Sequence, residues 1–189
     1  MRLPIWISNR HIHLSQIDVE KLFGKGYQLT KLRDISQPGQ FACNETVSIS
    51  GPNGKIQNVR VVGPTRKESQ WEILMWDNFT LWTKAPVKIS GGDMKDAEGV
   101  TVVWPVGEVY VTHGLIVAQR HLHCTTKEAT DMWLKNWDII KIKIPGQRWL
   151  VFENVAVRAR DDYALDFHID IEEANAAWIK TWDRWELVK

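Results

Sequence analysis

The 189-residue chain is 44% apolar, which is enough for one large domain or two small ones with a real core, so the expectation is a soluble globular protein. Its 24 basic residues against 23 acidic ones, with no basic block, exclude an electrostatic footprint for nucleic acid or an anionic membrane; a phosphate-bearing ligand would need a few placed cations. Cys43 and Cys124 are too few for a disulfide framework, and there is neither a signal peptide nor an apolar run long enough to span a bilayer, which makes the cytoplasm the expected location.

A first strand is predicted from Leu3 and leads into Arg10-His11-Ile12-His13. In a β-strand residues i and i+2 share a face, so His-x-His aims two imidazoles at one point. The string returns as Arg120-His121-Leu122-His123, and the two copies hold four of the six histidines. Duplicated spacing is hard to obtain from packing, so these are read as two chelating pairs and two metal positions. Imidazole is the usual ligand for zinc and similar divalent ions, and a catalytic ion takes about three protein ligands plus an open position. Each pair therefore lacks at least one ligand.

Strand-like alternation follows at residues 47–50, 57–62, 101–104, 139–144 and 150–158. Turn signals separate these runs at Pro38-Gly39, Gly51-Pro52-Asn53-Gly54, Gly91-Gly92-Asp93 and Pro145-Gly146. The pattern predicts a mainly β protein with short helices. The repeated Arg-His-x-His string argues for two similar β-rich halves, residues 1–92 and 93–189, linked near 91–99 and with the termini free to exchange between them. A site fed by both halves would lie between them.

Three segments continue from histidines on one plan: His13 to Asp18, His123 to Glu128 and His168 to Glu173. Each reads histidine, any residue, capping residue, any two, acid. Ser15, Thr125 and Asp170 would cap helices whose third residue is acidic. Strand ends that feed helix N-termini are where side chains and backbone N–H groups converge on a charged ligand. His168 is thus the natural fifth metal ligand. Asp166, two residues before it, stands where the other copies have histidine and is not counted as a ligand.

Eleven tryptophans against twelve glycines is an abnormal ratio. Aligning the second and third copies puts Trp133 on Trp178 and Trp137 on Trp182, at helix ends and tight turns where glycine supplies φ > 0 and tryptophan would be strained. In the first copy Gly24 and Gly26 do that job. Trp104-Pro105-Val106-Gly107 likewise reads as the Gly-Pro turn of Gly51-Pro52 and Gly63-Pro64. The expectation is that many of these tryptophans are glycine in the protein as made, encoded by UGA in an organism that reads it as glycine. Trp71 and Trp185 sit in strand-like alternation and read as genuine.

Other single residues read as structural. Cys124 is one step along a strand from His123 and should face away from the metals into the core, as Leu14 does in the first copy. Arg10 and Arg120 alternate away from the histidines and read as ion-pair or hydrogen-bond donors. His113 reads as a structural histidine, and Asp161-Asp162 as a solvated turn.

The strings Ile7-Ser8-Asn9-Arg10-His11-Ile12-His13-Leu14-Ser15, Ser36-Gln37-Pro38-Gly39-Gln40-Phe41, Val59-Arg60-Val61-Val62-Gly63-Pro64, Arg120-His121-Leu122-His123, His168-Ile169-Asp170 and Glu173-Ala174-Asn175-Ala176-Ala177 resemble the Pdu-type phosphotransacylases, or phosphate propanoyltransferases. The likeness runs in order over nearly the whole chain. It implies two β-barrel domains with a two-metal site, usually zinc, between them, and exchange of acyl groups between coenzyme A and phosphate. It also implies His11, His13 and Glu72 around one metal, with His121, His123 and His168 around the other. Arg66, in Pro64-Thr65-Arg66, matches the family's phosphate-binding arginine. Ser8, Arg33, Arg60 and Asn175 match its coenzyme A contacts, Arg33 standing where lysine is common. Trp6, Trp82, Trp104, Trp133, Trp137, Trp149 and Trp178 stand where the family tends to have glycine.

The resemblance implies a phosphate acyltransferase acting on acetyl-CoA or propanoyl-CoA, coupled to an acetate- or propionate-type kinase. A homodimer is compatible with it. Some relatives carry an N-terminal amphipathic extension that targets a microcompartment; with the first strand at Leu3, none is expected here. Two rival readings use the same ligands: a two-metal hydrolase of thioesters or phosphate esters, and a non-enzymatic protein whose closed zinc sites hold its halves together. Three protein ligands per ion leave a position open, as in catalytic sites, whereas structural zinc is four-coordinate and favours cysteine.

Overall fold

The computed structural model describes residues 3–92, 94, 96–104 and 106–188. Asp93 and Pro105, from two of the expected turns, lie outside the described residues, as does the side chain of Trp185. In chain order the strands and helices begin β1 (Leu3–Ser8), β2 (His11–His13), α1 (Gln16–Phe23), β3 (Lys31–Asp34), β4 (Phe41–Ser50), β5 (Lys55–Gly63), β6 (Gln70–Ile73), α2 (Asp77–Leu81) and β7 (Val87–Lys88). They continue with β8 (Glu98–Trp104), β9 (Gly107–Ala118), β10 (His121–Cys124), α3 (Thr126–Asp131), β11 (Ile139–Ile144), β12 (Leu150–Ala159), β13 (Asp166–Asp170), α4 (Ile171–Ala177) and β14 (Arg184–Val188). The protein is mainly β with short helices, as the alternation predicts.

The described residues gather into two compact units. One comprises Arg10–Ile35 and Gly39–Ala118; the other draws on Met1–Asn9, Ser36–Pro38 and Gln119–Lys189. In the second unit the strands close into a six-stranded barrel, β1-β13-β10-β12-β11-β14. In the first, eight strands form one sheet, and β8 pairs with both β4 and β9. The ring β4-β5-β2-β6-β9-β8 therefore also closes, leaving β3 and β7 as additions to it.

The two rings have the same pairing pattern strand for strand. β2 is parallel to β5 and antiparallel to β6, while β10 is parallel to β12 and antiparallel to β13. β6 is parallel to β9 as β13 is parallel to β1. The chain is interleaved rather than cut at a single point near residue 92. β1 precedes β2 in sequence but completes the ring that holds β10, and β9 precedes β10 but completes the ring that holds β2.

Alternation fixes which way the histidines point. Ile12 and Leu14 are fully buried in the core of the first unit, Leu122 and Cys124 in that of the second. Burying an Ile or Leu side chain is worth about 1.5–3 kcal/mol, and a one-residue slip would exchange the faces. The core residues thus hold each His-x-His on the opposite face.

All three expected caps form. The Ser15 hydroxyl accepts from the Asp18 N–H at 3.2 Å, the Thr125 hydroxyl from the Glu128 N–H at 3.1 Å, and the Asp170 carboxylate from the Glu173 N–H at 2.9 Å. Glu128 and Glu173 reach back to the capping residues' own N–H groups, completing capping boxes. Arg10 pairs with buried Asp77 at 2.8 Å, and Arg120 with Glu173 at 2.6 Å, the structural roles their alternation predicts. Asp161 accepts from the Thr126 N–H and hydroxyl, and Asp162 pairs with Arg160.

Among the described residues, seven non-glycine residues have positive φ: Asn58, Asn154 and five tryptophans, Trp82, Trp133, Trp137, Trp178 and Trp182. Left-handed backbone costs an L-residue about 1–2 kcal/mol, and Asn tolerates it far better than a bulky ring. All five tryptophans are exposed, Trp133 the most at 88%. Trp71 is 1% exposed and lies in the first unit's core, as its alternation predicts. Trp104 packs against that core beside Phe23, and neither it nor Trp6 or Trp149 has positive φ.

Candidate metal and phosphate sites

In the first unit His11 stands opposite Glu72 and His13 opposite Gln70 across the antiparallel β2–β6 pair. His11 Nε2 lies 3.5 Å from Glu72 Oε2, and His13 Nε2 lies 3.7 Å from Oε1. His13 Nδ1 is 3.1 Å from the Val62 carbonyl, which can only accept, so its proton sits on Nδ1 and Nε2 presents a bare lone pair. Glu72 Oε1 accepts from the Ser90 hydroxyl at 2.5 Å and from Gln70 Nε2 at 2.7 Å. The Gln70 amide is held in turn by the Gly91 N–H, which donates to its oxygen at 2.7 Å.

Arg66 joins this cluster. Its backbone N–H donates to the Leu14 carbonyl at 2.8 Å, and its guanidinium reaches Ser90 Oγ at 3.5 Å. Burial, the Arg66 charge and neighbouring His11 together keep His13 well below the usual histidine range and hence neutral. Burial pushes Glu72 upward, but His11, His13, Ser90 and Arg66 outweigh it and hold it well below the usual carboxylate range.

In the second unit the construction recurs. His121 stands opposite His168 and His123 opposite Asp166 across β10–β13. The His121 and His168 rings stack with centroids 4.8 Å apart. His121 Nδ1 donates to the Gln119 carbonyl at 2.7 Å, and His123 Nδ1 to Asp166 Oδ1 at 3.2 Å. Burial and the neighbouring His123 and His168 keep His121 well below the usual histidine range.

The donor atoms of each trio, His11, His13 and Glu72 or His121, His123 and His168, lie within 4.8 Å of one another. Two tetrahedral ligands at a zinc-like 2.0–2.1 Å lie roughly 3.4 Å apart, close to the spacings seen here. Imidazoles whose Nδ1 is occupied, as in His13, His121 and His123, leave Nε2 as the donor, and with Glu72 in the first trio they are the kind of donor set that such an ion takes. The residues therefore fit a divalent ion in each unit.

The residues expected from the resemblance to contact coenzyme A are divided between the units. Ser8 ends β1, its hydroxyl donating to the Ile169 carbonyl at 3.3 Å, and Asn175 is exposed on α4. Arg33 is exposed on β3, and Arg60 on β5 donates to the Cys43 and Asn44 carbonyls at 3.0 and 2.9 Å. Cys124 is fully buried in the second core, as its register predicts.

The profile of the phosphate propanoyltransferase family matches residues 4–180, nearly the whole chain. The chain belongs to the phosphate propanoyltransferase family. It is 47% identical over 180 residues to the phosphate propanoyltransferase of Thermotoga maritima, covering 95% of this chain and 85% of that one. To the protein of that name from Clostridioides difficile it is 49% identical over 174 residues, 92% and 83% of the two chains. To that of Enterococcus faecalis it is 44% identical over 182 residues, 96% and 86%. Membership of this family makes the chain a phosphate acyltransferase, with coenzyme A as the implied acyl carrier. Among the described residues no helix is long and apolar enough to cross a membrane.

Sequence reasoning passes over Gln70 and Ser90, the hydrogen-bond donors to Glu72, because a lone Gln or Ser carries no spacing signal. It also assigns no task to Gln37, whose amide donates to Asp166 at 2.9 Å. A signal for Gln70 does exist in retrospect: Gln70-x-Glu72 occupies the same register positions as Asp166-x-His168.

Proposed function

We propose that this phosphate acyltransferase is metal-dependent and interconverts acetyl- or propanoyl-CoA plus phosphate with acyl phosphate plus coenzyme A. The observation that carries this reading is the pair of three-residue clusters built on the same strand register, one of them beside Arg66. His11, His13 and Glu72 would hold one ion, and His121, His123 and His168 the other, zinc being the best match to the donors. Bound there, such an ion supplies Lewis acidity toward a carbonyl oxygen and affinity for a departing thiolate.

The chain's own residues supply the rest. Arg66 would take phosphate through its planar fork, two parallel charge-assisted hydrogen bonds that orient one phosphate oxygen toward the thioester carbon. That oxygen forms the new C–O bond, the C–S bond breaks, and the coenzyme A sulfur leaves with the electron pair. No protein nucleophile is required. Ser8, Arg33, Arg60 and Asn175 would contact coenzyme A, and an acetate- or propionate-type kinase would consume the acyl phosphate.

The test is thiol release from acetyl-CoA and propanoyl-CoA by zinc-loaded protein, with and without phosphate. Release that requires phosphate and yields acyl phosphate is expected. Phosphate-independent release would establish a hydrolase instead, and no release from folded, metal-loaded protein would mark the zinc sites as structural.

A further inference from the structure

We propose that Asp166 is a positioning residue for His123, itself clamped by Gln37; the inference rests on the metal-site reading above. Asp166 is 1% exposed and lies directly opposite His123 in the β10–β13 register. Its Oδ1 accepts from His123 Nδ1 at 3.2 Å and its Oδ2 from Gln37 Nε2 at 2.9 Å. Gln37 also donates to the Ala164 carbonyl at 2.9 Å and accepts from the Ala164 N–H at 3.1 Å, so both ends of its amide are fixed. An ionised carboxylate can only accept. The proton of His123 is thereby held on Nδ1, and Nε2 is turned toward His121 and His168.

A carboxylate at this place orients a metal-binding imidazole and makes it a stronger donor than a carbonyl does. At Nδ1, His13 and His121 donate instead to backbone carbonyls, those of Val62 and Gln119. The other unit places Gln70 at the corresponding register position, two residues before the third ligand. There the ligand to be braced is the carboxylate Glu72, and the bracing group is an amide donor. The same position thus carries an acceptor where it braces a histidine and a donor where it braces a carboxylate.

The variants are Asp166→Asn and Gln37→Ala, and the readouts are bound zinc per chain and zinc affinity by chelator competition, with folding checked by circular dichroism. Asp166→Asn should weaken one of the two ions about 10–100-fold and leave the other unchanged, and Gln37→Ala should weaken the same ion by less. Asp166→Glu should restore part of the affinity. If Asp166→Asn fails to fold, Gln37→Ala still decides. Two ions of unchanged affinity in a folded variant would overturn the proposal. A wild-type chain that takes up no zinc, and so matches His121→Ala, would instead overturn the metal-site reading beneath it.

Independently, we infer that Trp82, Trp133, Trp137, Trp178 and Trp182 are glycine in the protein as made in its cell. Among the described residues these five are the tryptophans with left-handed backbone, and all five are largely exposed, so little burial offsets the strain. Trp82 and Trp178 are the C-caps of α2 and α4, the position Gly24 fills after α1. Buried Trp71 shows no such backbone. The division is therefore drawn by conformation, and it places the four residues expected from repeat alignment with Trp82.

Reading the codons decides it: UGA at the five positions and UGG at Trp71 are expected, and UGG at the five would overturn the inference. Peptide mass spectrometry of protein from the source organism should read glycine at all five. A recombinant chain with the five glycines should melt at a higher temperature than the chain as written. An unchanged or lower melting temperature would count against it.

Discussion

His168 faces His121 across the β10–β13 pair in the register in which Glu72 faces His11 across β2–β6. Each proposed third ligand is therefore carried by the strand antiparallel to its His-x-His pair, and each trio lies within its own unit. Removing one ligand should empty one site and spare the other. His168→Ala and Glu72→Ala should each lower bound zinc from two ions per chain to one, and each should cut kcat by at least about 100-fold. Loss of both ions from either variant, in folded protein, would show that the sites are not independent.

Arg66 sits half-buried beside Ser90, with its charge felt by His13 and Glu72. If it holds phosphate through two charge-assisted hydrogen bonds, its loss removes about 1.5–3 kcal/mol per bond. Arg66→Ala should therefore raise the KM for phosphate by at least about 10-fold, with a smaller effect on the KM for acyl-CoA. Arg66→Lys should recover part of the charge but not the fork. An unchanged phosphate KM would remove Arg66 from the phosphate site.

The legible part of this fold is what local spacing encodes. The two His-x-His strands, the three caps at Ser15, Thr125 and Asp170, and the inward register of Cys124 all follow from period-2 alternation and capping chemistry within a few residues. The exchange of β1 and β9 between rings is not encoded that way. Parallel pairing of β1 with β13 joins residues more than 160 positions apart, and nothing in either strand's alternation names its neighbour. Glu72 is similar: among 23 acidic residues it has no local mark, and only strand pairing sets it against His11. Asp166 does show a pattern, Asp-x-His, but that pattern does not say whether the carboxylate ligates or braces.

Cys124 adjoins His123, yet its thiol is pushed up to about 11, by burial first and then by Glu128. At pH 7–9 it is therefore a protonated core group rather than a nucleophile. Cys124→Ala should retain acyl transfer and lose about 1 kcal/mol of stability. Alkylation by iodoacetamide in the folded protein should be negligible at pH 8 and accelerate only as the pH approaches 11. Inactivation by rapid labelling at pH 8 would reverse this assignment.

Glu45 braces the α1–β4 region of the first unit. It is 6% exposed, and one of its oxygens accepts from the Tyr27 hydroxyl at 2.8 Å, the Thr30 hydroxyl at 2.7 Å and the Thr30 N–H at 3.0 Å. Burial pushes its carboxyl upward, but donation from Thr30 and Tyr27 outweighs that and holds it below the ordinary glutamate range. A depressed carboxyl contributes stability above its unfolded value, about 4.3, and that contribution is lost as pH falls through the lower folded value. Glu45→Gln should therefore be destabilised by about 1–3 kcal/mol at neutral pH, because the amide replaces one accepting oxygen with a donor. The gap between wild type and variant should narrow as pH falls below the unfolded value, as the wild-type carboxylate takes up its proton. Urea midpoints measured from pH 7 to pH 3 test this directly, and a gap that stays constant across that range would mean that the charge of Glu45 contributes nothing.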